Sequence, residues 1–198
     1  MRVGLYGGSF NPVHAGHRHV ATTALQRLGL DRLIWLVSPG NPLKAGADLA
    51  AMAERMAWTR RCAKGPRMIV SDIERRLGLR YTVDTIEALK RRFPGVHFVW
   101  IMGADSLGGF HRWRDWQTLM RSAPVAVVAR PGLSAESRFS PAARRFAFAR
   151  RRPEFAPRLA GARAPAWVFL NAPLDYTSST RLRQVSPARG GLEQSHGI

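Results

Sequence analysis

Between Gly7 and His17 the chain reads GGSFNPVHAGH, directly after the apolar run Val3-Gly4-Leu5-Tyr6. Small residues at Gly7, Gly8 and Ser9 let a bound group come close to the backbone. The helix expected to follow aims its positive end at the same place, which suits a phosphate. His14 and His17, three residues apart at the helix start, can face one way and donate ring N–H bonds to phosphate oxygens. The plainer readings are a tight turn for the glycines and a satisfied polar residue for either histidine. The combination with Pro12 and Gly16 favours an anion site.

A second cluster lies near the other end. Thr177-Ser178-Ser179-Thr180-Arg181-Leu182-Arg183 supplies hydroxyl caps at a helix start and arginines in its first turn. Such a terminus binds phosphate oxygens, and a guanidinium can fork onto two of them. Other phosphate chemistry is missing: no glycine precedes a lysine as in a Walker loop, no G-x-G opens a dinucleotide site, and no G-x-S-x-G elbow occurs. His14, His17 and His19 fall within a short stretch, but His17 and His19 would point to different helix faces. No carboxylate or cysteine lies nearby to complete a zinc site, so no metal ligands are expected.

The elements that must position these residues alternate. Strands are expected at Val3–Tyr6, Leu33–Val37, Met68–Val70, Val96–Met102, Val125–Ala129 and Ala166–Leu170, all apolar runs of the kind buried on both faces. Helices are expected at about 16–29, 48–63 with Asp48 as N-cap, 82–93 starting near Thr82, 113–121, and from Ser178 towards Arg189. This predicts an α/β fold with a single doubly wound, mostly parallel sheet and helices on both faces. One domain should span 1–189, with 190–198 a flexible tail. GGSFN, SPGNPLK, GADS, ARPG and NAPLDYTSST all follow strands, and the carboxyl ends of parallel strands are where such sheets bind ligands.

Composition sets the outer bounds. The 198 residues are 45% hydrophobic, with no apolar run near the roughly 20 residues of a membrane span. MRVGLYGGSF does not read as a secretory signal, and the single cysteine, Cys62, fits a reducing compartment, so the cytoplasm is expected. Formal charge is +18, carried by arginine far more than lysine. The stretch from Arg138 to Arg163 reads as a solvated, partly loose basic face, with a polyanion-binding face as the alternative. A nucleic-acid-binding protein on a degenerate nucleotide fold is the competing class. RNP-type aromatics and zinc-finger spacings are absent, however, and the intact histidines and Ser178-Ser179-Thr180 argue against degeneracy. Oligomeric state is not readable; a homo-oligomer is compatible with the sequence.

GGSFNPVHAGH matches the G-x-F-x-P-x-H-x-G-H signature of the nucleotidyltransferase superfamily, and TSSTRLR resembles its late I-S-S-T-x-I-R motif, with Thr177 and Leu182 departing from it at packing positions. SPGNPLK, VSDIE, YTVDTI, FVWIMGADSL, FHRWRDW and VARPG follow in the order seen in bacterial nicotinate-nucleotide adenylyltransferases. The resemblance spans most of 1–183; the stretch 138–163 and the tail look unshared. It implies a Rossmann-like nucleotidyltransferase fold and transfer of AMP from ATP to nicotinate mononucleotide in NAD biosynthesis. Phosphopantetheine or nicotinamide mononucleotide are the alternative acceptors. It further implies His14, His17 and Arg183 as the catalytic residues. The ATP site would comprise Gly7, Gly8, Ser9, Phe10, His14, His17, Gly103, Asp105, Ser179, Thr180 and Arg183. Asp105 would meet the ribose or a metal-bound water, or else be a plain helix cap. The acceptor would meet Lys44, Tyr81, Thr82, Trp113 and Arg130, with Trp113 stacked on the pyridine ring and Thr82 also serving as N-cap. Mg²⁺ would arrive with the ATP phosphates.

Overall fold

The computed structural model describes residues 1–40, 49–129 and 137–171. Seven strands form one sheet: β1 (Arg2–Gly8), β2 (Arg32–Val37), β3 (Met68–Ser71), β4 (His97–Gly103), β5 (Val125–Val128), β6 (Arg150–Arg151) and β7 (Trp167–Leu170). Their order is β3-β2-β1-β4-β5-β7-β6, and every pairing is parallel. The helices are α1 (Ala15–Arg27), α2 (Met52–Cys62), α3 (Ile73–Arg76), α4 (Thr82–Arg92), α5 (Ala104–Gly109), α6 (Trp116–Ser122) and α7 (Pro141–Arg145).

Alternation along the strands builds two cores. Val3, Leu5, Phe98, Trp100 and Met102 point to the face covered by Val83, Ile86 and Leu89 of α4 and by Leu107, Leu119 and Met120. Tyr6, Trp35, Val37, Val99 and Ile101 point to the other, covered by Val20, Ala24 and Leu25 of α1 and Met56 of α2. The central strands are therefore buried on both faces, which is why their apolar runs carry no polar alternation, whereas β3 at the sheet edge leaves Ile69 exposed.

The chain starts in the middle of the sheet, winds outward through β2 to β3, then crosses back to β4 on the other side of β1. The β1–β4 boundary is thus the topological switch point, where a crevice opens. The register shows it opening. The β1–β4 ladder stops at Tyr6↔Ile101, whereas β1 stays paired with β2 through Gly8↔Val37 and β4 with β5 through Gly103↔Val128.

Several local expectations change. Gly7 and Gly8 are the last residues of β1 and not a turn beyond it. The helix expected from Asp48 starts at Met52 behind Ala51, because Glu54 reaches back to accept the Ala51 N–H at 3.2 Å; Asp48 itself lies outside the described residues. The helix expected at 113–121 starts later, at Trp116. A 3₁₀ turn, Phe110–Arg112, is followed by Trp113 in an extended conformation, and Asp115 at φ 49 enters the left-handed region before α6 starts. The basic stretch is ordered into α7, β6 and a 3₁₀ segment, Pro153–Gly161. It buries Phe146, Ala156 and Leu159, and Trp167 Nε1 donates to the Phe146 carbonyl at 2.8 Å. Its arginines are exposed on a packed backbone, apart from the half-buried Arg138 with its guanidinium 4.4 Å over the Phe169 ring, so it is not a loose face. The last expected helix and the tail 190–198 lie outside the described residues.

Candidate active site

Where β1 and β4 part, a cleft of about 390 Å³ opens. One wall is Tyr6, Gly7, Gly8, Ser9 and His17; the other includes Tyr81, Thr82, Trp113 and Arg114, with Trp100, Gly103 and Asp105 between. Gly7, Gly8, Ser9 and His17 from the β1–α1 stretch, Tyr81, Thr82 and Trp113 from others, and Gly103 and Asp105 at the end of β4 therefore share one cavity.

The glycines are small for a reason that only the fold supplies. A Cβ on Gly7 would run into the indole of Trp100 on neighbouring β4. Beyond them, Phe10 adopts φ 47 and buries its ring, 1% exposed, edge-on to Tyr6 and against Trp35. Phe10 supports the site from beneath, its ring 5.2 Å from that of His17. The side chain of Phe10 is not part of the cleft wall.

His14 is the N-cap residue of α1, and its ring stands 3.8 Å from that of His17. The His14 backbone N–H donates to Nδ1 of His17 at 3.2 Å. A neutral His17 then carries its proton on Nε2 and is a hydrogen-bond donor there. His14 is 6% exposed, whereas His17 is half-buried and reaches the cleft. The Cys62 thiol donates to the His14 carbonyl at 3.8 Å, and burial pushes that thiol's pKa up, which keeps it protonated.

On the opposite wall, Tyr81 is the extended N-cap residue of α4 and Thr82 the first helical residue, so Thr82 does not provide the cap. Thr85 one turn later donates its hydroxyl to Glu74 Oε1 at 3.0 Å, with the Tyr81 carbonyl 3.2 Å away. Glu74, 7% exposed, lines the cleft, and burial raises its pKa against the smaller opposite pull of the Thr85 hydrogen bond. Trp113 sits edge-on to Trp100 and Phe110, with ring centroids 6.2 and 5.2 Å away. That packing fixes the indole at the rim while leaving it half-buried. The Arg114 guanidinium lies 4.9 Å over the Tyr81 ring. Asp105 is exposed in the first turn of α5, whose N-cap position is Gly103; the plain-cap reading of Asp105 is thereby corrected.

Arg80, Arg112 and Arg114 line the cleft with His17, against Glu74 and Asp105. The balance favours anionic ligands. Among the described residues no group of three or more His, Cys, Asp or Glu is placed to hold a metal ion. Lys44, Arg130, Ser179, Thr180 and Arg183 lie outside the described residues.

Sequence reasoning missed Arg55, Glu74 and Trp100. Arg55 is 1% exposed and donates Nη1 to the carbonyls of Ser9 and Ser38, both at 2.8 Å, and Nε to that of Ala50 at 2.9 Å. Its signal was available: it falls between Met52, Met56 and Thr59 on the inward stripe of α2. Asn11 joins the same scaffold, its Oδ1 accepting the Ala50 N–H at 3.2 Å.

Known proteins resemble this chain throughout. The cytidylyltransferase-like family pattern matches residues 5–185, including the basic stretch that had looked unshared. A relative from Caulobacter sp. (strain K31) is 61% identical over 183 residues, covering 92% of this chain and 97% of the relative. One from Methylorubrum extorquens (strain PA1) is 55% identical, with coverage of 92% and 99%. Both carry the name "Probable nicotinate-nucleotide adenylyltransferase". Among solved structures, the Plasmodium falciparum nicotinic acid mononucleotide adenylyltransferase complexed with NaAD aligns at TM-score 0.68 and 15% identity. The alignment covers 92% of this chain and 82% of that one, a likeness of fold. On sequence relatedness over nearly its whole length, the chain belongs to the nicotinate-nucleotide adenylyltransferase family of cytidylyltransferase-like proteins.

Proposed function

We propose that the protein transfers AMP from ATP to nicotinate mononucleotide, releasing pyrophosphate and forming deamido-NAD. The observation that carries this reading is the single cleft at the β1–β4 switch point. One wall bears Gly7, Gly8, Ser9 and His17 of GGSFNPVHAGH and the other bears Tyr81, Thr82 and Trp113. An oxygen of the mononucleotide phosphate attacks the α-phosphorus of ATP, and the bond from that phosphorus to the bridging oxygen of the β-phosphate breaks. The attacking oxygen is already anionic, so no general base is needed. Catalysis comes from in-line positioning and from neutralising charge on the α-phosphate and the leaving group.

His17 donates from Nε2 to the ATP phosphates, and His14 holds His17 in that tautomer while lying beside it. Gly7, Gly8 and Ser9 let the nucleotide approach the strand end. Arg183, Ser179 and Thr180 take the pyrophosphate end, and Gly103 and Asp105 flank the nucleoside. The acceptor ring stacks on Trp113, its carboxylate near the start of α4 at Tyr81 and Thr82, with Lys44 and Arg130 serving its phosphate. Mg²⁺ would arrive with the ATP phosphates and would neutralise part of their charge, and Asp105, exposed at the cleft, would meet its water shell. The compartment is the cytoplasm. Among the described residues no helix is long and apolar enough to cross a membrane.

The test is direct. Purified protein with ATP, Mg²⁺ and nicotinate mononucleotide should give deamido-NAD, identified by mass, and pyrophosphate in equal amounts. Pyrophosphate without that dinucleotide would refute the acceptor, and no product with any pyridine mononucleotide would refute the reading.

A further inference from the structure

We infer that Arg55 is a positioning residue for ATP, a buried cation that holds the β1 end loop in its ligand-ready shape. The inference rests on the proposed function for the identity of the ligand, while its structural grounds are independent. Arg55 is 1% exposed, and among the described residues no carboxylate pairs with it. A buried guanidinium without a counter-charge is costly and persists only where its N–H groups are met by acceptors. Here backbone carbonyls take that part. Nη1 bridges Ser9 and Ser38, the segments that leave the carboxyl ends of β1 and β2, and Nε binds Ala50 ahead of α2. Nη2 lies 3.7 Å from the Met52 sulfur. One planar group thus joins three chain segments.

The consequence falls on the next residue. Drawing the Ser9 carbonyl toward Arg55 turns the N–H of the same peptide, that of Phe10, to the opposite side. Phe10 itself is held at φ 47, a left-handed conformation unfavourable for a bulky residue, which must be fixed by its surroundings. Its buried ring fixes one end and the Arg55 clamp the other. Among the described residues, the hydrogen bonds of Arg55 go to Ser9 and Ser38 after β1 and β2 and to Ala50 and Met52 at the start of α2. None goes to Tyr81, Thr82 or Trp113. Losing it should therefore weaken ATP handling and spare the acceptor.

The experiment compares wild type with Arg55→Met, which keeps the apolar stem, and Arg55→Lys, which keeps the charge but cannot bridge Ser9 and Ser38 with one planar group. Affinity for a non-hydrolysable ATP analogue is read by calorimetry, and steady-state kinetics are read for both substrates. Arg55→Met should bind the analogue about tenfold or more weakly, with the nicotinate mononucleotide KM within about threefold of wild type. Arg55→Lys should fall between. A purely structural role would lower kcat through a smaller folded fraction and move neither affinity. Unchanged analogue affinity in a folded Arg55→Met variant, or equal damage to both substrates, would overturn the inference. So would an Arg55→Lys variant identical to wild type. If neither variant folds, Arg55 serves stability alone and the inference fails. Wild type that binds the analogue but makes no deamido-NAD would refute the proposed acceptor and leave this comparison intact; wild type that does not bind it overturns both.

Discussion

The backbone N–H of His14 donates to Nδ1 of His17 across 3.2 Å, so the cap of α1 and the tautomer of the cleft histidine are set by one bond. The donor edge of His17 is then Nε2. His17→Ala should lower kcat by about 10²–10³-fold, the range for losing a donor aimed at developing charge, with little change in acceptor KM. Glutamine places its amide nitrogen near the Nε2 position and asparagine near Nδ1. His17→Gln should therefore retain more activity than His17→Asn, and the reverse order in steady-state assays would contradict the tautomer assignment.

Trp113 is braced edge-on by Trp100 and Phe110. Trp113→Ala should raise the acceptor KM by about tenfold, the size of a stacking contact with a flat cationic heterocycle. ATP-analogue affinity should hold within about twofold. Kinetic profiles of Trp113→Ala and His17→Ala that coincide would show that the two walls do not divide the substrates.

Gly7→Ala should destabilise the fold by about 1–3 kcal/mol, because the added methyl meets the Trp100 ring. Trp100→Phe removes part of that ring, so the double variant should be less destabilised than the sum of the singles. Denaturant melts give all four corners of the cycle. Strict additivity would mean that Gly7 is small for another reason.

Glu74 is buried, and desolvation, opposed by the weaker effect of the Thr85 hydrogen bond, holds its pKa above the ordinary 4.5. The folded protein therefore keeps this proton where the unfolded chain has released it. The native state binds more protons in that window, so the contribution of Glu74 to stability falls as pH rises from about 4.5 through its folded pKa. Glu74→Gln keeps an acceptor for the Thr85 hydroxyl and removes the titration. Melting temperature across pH 4–8 should fall less steeply for Glu74→Gln than for wild type. Parallel curves would assign the slope to other groups.

The six apolar strands were legible because burial on both faces leaves a continuous signature, and the chemistry-bearing loops were legible because small residues and histidines cluster where those strands end. β6 was not, since it is two arginines long, carries no apolar side chain, and meets β7 through the backbone ladder and the Arg150 guanidinium over the Trp167 ring. The size of Gly7 could be read, but its cause could not, because Trp100 is its neighbour only across the sheet. The later start of the helix expected from Trp113 depends on Asp115 entering the left-handed region, a backbone choice without a glycine to announce it. The inward position of Arg55 on α2 could be read from its spacing, but its partners could not. An arginine on a helix reads as solvated until the carbonyls of Ser9, Ser38 and Ala50 are seen to surround it.

The most direct measurement is the ratio of kcat/KM for nicotinate mononucleotide against nicotinamide mononucleotide and phosphopantetheine, read as pyrophosphate release with ATP and Mg²⁺. The cationic cleft with Trp113 at its rim predicts a strong preference for nicotinate mononucleotide. Equal or better turnover of either competitor would contradict the acceptor assignment, and silence with all three would contradict adenylyl transfer itself.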